Sequence, residues 1–169
     1  MSFIRDIIKE FATNNQDSQD LTVDATFQNV REVLYNCCKK LDNIPTQNAD
    51  KIQLFLEIDD ELCHTKNTLF KRCCDEIGYH ESQRAFCIYR DFLAEYNETV
   101  KRYNHIVCDN FETELRHIIE EIFALQDKLM PINNENITQH SEYHKHNEKY
   151  YKEIEKFEEQ RRNVLKSIK

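Results

Sequence analysis

From Phe86 to Leu129 an apolar residue returns every three or four positions. The series is Phe86, Tyr89, Leu93, Tyr96, Val100, Tyr103, Val107, Phe111, Leu115, Ile118, Ile122, Leu125 and Leu129. That period belongs to a helix with one apolar face, and no Gly or Pro interrupts it. At about 1.5 Å per residue the stretch predicts one helix of roughly 66 Å, which a small independent core cannot cover. Tyr103, Val107, Phe111 and Leu115 are separated by steps of four only, a stutter that locally unwinds a left-handed supercoil.

The rest of the chain agrees with helix. One Gly and two Pro in 169 residues, with no Asn-Gly or Asp-Gly pair, leave little with which to build hairpins. The fold class read from this is all-α. Residues 2–12, SFIRDIIKEFA, place Phe3, Ile4, Ile7, Ile8 and Phe11 on one face of a short amphipathic helix. A polar linker, NNQDSQD, follows at 14–20, and Thr22 or Asp24 is placed to cap the next helix. Phe27, Val30, Leu34, Cys38 and Leu41 continue the spacing until Pro45, where 43–48 reads as a kink or short loop. Ile52, Phe55 or Leu56, Leu62, Leu69 or Phe70, Cys73 and Ile77 carry it to Gly78.

Gly78 fits a left-handed cap just past a helix end, with Glu81 or Ser82 starting the next helix. The alternative is a helix running through it at about 1 kcal/mol relative to Ala. Pro131 ends the long seam. The last segment steps through Tyr143, Asn147, Tyr150, Ile154, Phe157, Arg161, Val164 and Ile168, a heptad seam with Asn147 and Arg161 as its polar members. Three arms folded back near Gly78 and Pro131 predict an elongated antiparallel three-helix bundle that dimerises. The domain reading is an amphipathic helix at 1–13, a linker at 14–21 and a helical domain at 22–169.

The segment IYRDFLAEYNETVKRYNHI, residues 88–106, has an apolar, tyrosine-rich start, then a Val-Lys step and the basic pair Lys101-Arg102. EKYYKEIEKFEEQRRNVLKSI, residues 148–168, sets a Glu-Phe-Glu core before basic residues. These stretches resemble the second and third helices of the BAR domain of sorting nexins. Tyr103-Asn104 stands where that family has Arg-Asp, and the residues before the helical domain are too few for a phosphoinositide-binding PX domain. The resemblance implies a BAR-like homodimer on anionic, endosomal membranes, with a role in protein sorting. It implies that Tyr89, Leu93, Tyr96, Val100 and Tyr103 face the partner chain. The lipid-facing candidates are Lys101, Arg102, Lys152, Lys156, Arg161 and Arg162, joined by the apolar face Phe3, Ile4, Ile7, Ile8 and Phe11. The bland alternatives are a solvated basic face interleaved with Glu, and a first segment docked on the protein's own core or on a partner.

Net charge −8 excludes a whole-surface nucleic-acid binder. No secretory signal or 18-residue apolar run is present in this sequence, so the expected setting is cytoplasmic, peripheral on endosomes if lipid is bound. Seven cysteines read as reduced, mostly buried thiols. His140 and His144 are four apart near Glu142 and Glu148, but no CxxC or HExxH accompanies them, so no metal or other cofactor is expected. Cys63-His64 lacks an orienting group or oxyanion loop, so no enzyme activity is expected. The competing reading is a cytosolic coiled-coil adaptor or tether that binds protein without touching lipid.

Overall fold

The computed structural model describes the backbone over residues 18–72, 83–130 and 140–168, and side chains over 28–69, 91–130 and 145–168. Five helices account for nearly all of it: α1 (Ser18–Leu41), α2 (Asn48–Arg72), α3 (Gln83–Asn110), α4 (Glu112–Gln126) and α5 (His140–Ser167). No strand occurs among the described residues. The all-α reading therefore holds. The amphipathic segment 2–12, Gly78 and Pro131 lie outside the described residues.

The chain turns back at two places besides the expected folds near Gly78 and Pro131. The first is 42–47. Lys39 and Lys40 close the last turn of α1, where cations complement the exposed carbonyls. The amide of Asp42 still reaches Cys38 O at 3.2 Å, and Pro45 then forbids further helix. Of the two expected forms, kink or short loop, it is the loop, and the chain reverses: Cys37 Sγ lies 3.2 Å from Glu61, 24 positions on. A straight helix would hold those residues roughly 36 Å apart at about 1.5 Å per residue.

The second reversal is at Phe111, and it corrects the expectation of one long second arm. Phe111 adopts φ −136°, ψ 50°, outside the helical region, and α4 starts at Glu112. The rings of His105 and Phe123 meet at 4.6 Å between centroids. Along an unbroken helix they would be roughly 27 Å apart, at about 1.5 Å for each of the intervening steps. The break falls inside the run of consecutive steps of four. Tertiary packing explains it: Phe111 is buried and meets Phe55 edge-on at 6.1 Å, 88° between ring planes. Burying that ring on α2 outweighs the few backbone bonds that continuous helix would add.

The core runs through all five helices. Phe55, Ile58, Leu62 and Leu69 of α2 meet Phe92, Leu93, Tyr96, Val100, Tyr103 and Val107 of α3 in one cluster, extended by Leu115, Ile119 and Ile122 of α4 and Ile154 and Leu165 of α5. Tyr103 stands edge-on to Phe55 at 6.2 Å and donates its hydroxyl to Phe55 O at 2.8 Å. Packing is heaviest within two lobes, α1–α3 and α4–α5, and lighter between them.

Two seams are displaced from their expected phase. In α5 the buried positions are Asn147, Tyr151, Ile154, Glu158, Arg161 and Leu165. Tyr150, Phe157 and Val164 flank the core instead of forming it. In α4, Ile119 is buried where Ile118 was expected, and Ile118 packs at its edge. Both shifts follow from which neighbouring helix each face meets, which spacing alone does not specify.

Candidate functional site

α5 brings charge into the interior. Asp59 and Lys66 on α2, Tyr103 and Asn104 on α3, and Glu158 and Arg161 on α5 meet between the two lobes, and all six are buried. The seven-residue interval from Asp59 to Lys66 places both on one stripe of α2, and Glu158 and Arg161 share a stripe of α5. Arg161 Nη2 donates to Asp59 Oδ1 at 2.6 Å, and its Nη1 donates to Asn104 Oδ1. The guanidinium lies 4.8 Å from the centre of the Tyr103 ring, a cation–π contact. Glu158 Oε2 is 3.7 Å from Arg161, and Glu158 Oε1 accepts from Lys66 Nζ at 3.2 Å. Arg162, only partly buried, donates to the second oxygen of Asp59.

The four buried charges balance: Asp59 and Glu158 against Lys66 and Arg161. Balance matters because an isolated charge at this depth would cost several kcal/mol. Burial works against the Arg161 charge, yet Tyr103, Glu158 and Asp59 together raise its pKa. Burial pushes the Tyr103 phenol up, so it remains a neutral donor. Arg161 Nε and Asn104 Nδ2 have no acceptor among the described residues. The arrangement is a polar clasp between lobes.

A smaller cluster joins α1 to α2. Cys37 donates to Glu61, and Lys40 pairs with the same carboxylate at 3.0 Å. Burial, then the hydrogen bond to Glu61, pushes the Cys37 thiol up to about 12. It is a protonated structural thiol and not a nucleophile.

The expected surface residues are distributed unequally. Arg161 is 1% exposed in its side chain and belongs to the interior, so its assignment as a lipid contact is corrected. Arg162 is engaged by Asp59, Arg102 by Asp42, Lys101 by Glu98 and Lys152 by Glu148. Lys156 is exposed. Leu93, Tyr96, Val100 and Tyr103, the residues expected to face a partner chain, are buried within a single chain. The side chains of Tyr89, His140 and His144 lie outside the described residues, as do Phe3, Ile4, Ile7, Ile8 and Phe11.

Spacing marked Arg161 and Asn147 as polar seam members, and both are buried. It missed Asp59, Lys66, Asn104 and Glu158. Their signal was positional: each lies in phase with buried apolar neighbours, and a charged residue there needs a partner of opposite sign. No group of three or more metal-binding side chains occurs among the described residues. No helix there is long and apolar enough to cross a membrane. Comparison with family models, curated proteins and solved structures finds no match to this chain.

Proposed function

We propose that this chain is a non-enzymatic helical interaction module that binds a protein partner with a basic surface. The observation behind this reading is the acidic face of α4, together with the withdrawal of Arg161 into the clasp. The exposed face of α4 is acidic: it presents Glu112, Glu114 and Glu120 against Arg116, which already pairs with Glu112 at 3.5 Å and Glu120 at 3.1 Å. An acidic face of this kind repels an anionic bilayer and attracts a basic partner, in a salt-dependent way. Tyr35, 54% exposed with Lys39 Nζ 4.9 Å from its ring centre, adds an aromatic contact of the sort interfaces favour.

The second reading is the BAR-like dimer on anionic, endosomal membranes. It is favoured by the apolar face Phe3, Ile4, Ile7, Ile8 and Phe11, whose form suits a lipid interface. Co-sedimentation with vesicles rich in phosphatidylserine or phosphoinositide, at low salt, separates the two. The protein-binding reading expects the chain in the supernatant. Pelleting that is lost in Phe3→Glu with Ile7→Glu establishes the membrane reading instead. For the first reading, Glu112→Lys with Glu114→Lys abolishes partner co-purification while the melting curve is retained.

A further inference from the structure

A helix break normally has a breaker, and this one has none. From Val107 to Leu115 the sequence is VCDNFETEL, free of Gly and Pro, and its apolar spacing is that of continuous helix. The connection between α3 and α4 is the single residue Phe111. Its amide still bonds to Val107 O at 3.0 Å, and Leu115 resumes the ladder on Phe111 O at 3.0 Å. The start of α4 has no side-chain cap bond. Local sequence therefore favours straight helix, and packing on Phe55 and on the second lobe enforces the bend.

The bend also divides the molecule where packing is lightest. α1–α3 and α4–α5 are each packed more heavily within than against the other. The main polar link between them is the clasp of Asp59, Asn104 and Lys66 with Glu158 and Arg161. A link made of specific pairs re-forms unchanged when its halves come from two molecules.

We infer that Phe111 is the hinge of a domain swap with a second copy of this chain. In the swapped dimer α3 and α4 straighten into one helix, and α4–α5 of each chain packs on α1–α3 of the other. The contacts away from the hinge are kept, and the gain in backbone hydrogen bonds at the straightened hinge offsets the changed setting of Phe111 on Phe55. The cost is the entropy of association, so dimer forms as concentration rises and most readily on refolding. In this state Tyr103 and Asn104 of α3 meet Arg161 of a second chain.

Two hinge substitutions separate this from side-by-side association. Glu112 is the first residue of α4. Proline is tolerated there in the bent form but removes an amide donor and clashes with Cys108 O in the straight one. Light scattering after refolding at high concentration reads the outcome. Glu112→Pro lowers the dimerisation constant at least a hundredfold, while Asn110→Ala raises it about tenfold because helix propensity acts at two hinges. Should Glu112→Pro not fold, Asn110→Gly lowers the constant in its place. Co-refolding Asp59→Arg with Arg161→Asp yields a heterodimer, since exchange alone brings each altered residue opposite its complement. Monomer at every concentration in both wild type and Asn110→Ala overturns the proposal. So does a dimer that neither Glu112→Pro nor Asn110→Gly weakens, or a mixture that gives no heterodimer.

Discussion

Arg161 and Asp59 lie 102 positions apart in sequence and 2.6 Å apart in space. That pair joins the last helix to the second and lies at the centre of the only extensive charge cluster buried among the described residues. A guanidinium suits the position because three neighbours use different parts of it: Asp59, Asn104 and the Tyr103 ring.

Truncating one side of the clasp therefore strands the other. Arg161→Ala is expected to destabilise the chain by about 3–5 kcal/mol, the range for breaking a buried pair. Arg161→Met combined with Asp59→Leu is expected to cost much less than the two single changes added. Urea unfolding of the four proteins gives the cycle directly. Additive losses would show that the two residues do not act as a pair.

The Tyr103 hydroxyl offers a finer probe. Tyr103→Phe keeps the ring beneath Arg161 and removes the donor to Phe55 O. The expected loss is about 1 kcal/mol, the net worth of one neutral hydrogen bond. Phe55→Ala, which empties the contact with both Tyr103 and Phe111, is expected to cost about 3–5 kcal/mol. Thermal or urea midpoints check the ranking.

Leu93→Glu tests whether the α3 stripe is interior. Leu93 is fully buried in a single chain, so a carboxylate there has no route to water. The expected outcome is loss of cooperative melting in circular dichroism. A folded, soluble protein would return Leu93 to an interface between chains.

Cys37 gives a pH signature with a definite sign. Its thiol is raised from 9.0 to about 12 in the folded chain, by burial first and Glu61 second. The unfolded chain therefore releases this proton earlier. The contribution is complete below about pH 9 and is lost as pH rises toward about 12. Cys37→Ala is expected to flatten the fall in stability between pH 8.5 and 10.5, roughly the window below the folded value. An equally steep fall in that variant would place the titrating group elsewhere. In the native protein at neutral pH, Cys37 is also expected to resist alkylation.

Helix, and the faces of helices, were legible in the residues. Val100, Tyr103, Val107, Phe111, Leu115, Ile122 and Leu125 were read from spacing alone, and all are buried. Spacing also marked Asn147 and Arg161 as polar members of a seam, because period is a local property of a few neighbouring turns. The break near Pro45 was legible for the same reason: proline acts on its own turn.

What tertiary structure alone decided is where helix gives way and which charges go inside. Nothing local stops a helix at Phe111; the ring leaves the helical path because Phe55, on another helix, buries it. Nothing local distinguishes Asp59, Lys66 or Glu158 from charges on a solvated face. They are interior because α2 and α5 cross there and each supplies the other's counter-ion. Period is written in one helix at a time, whereas burial of a charge or a bend is settled by the free energy of two helices meeting.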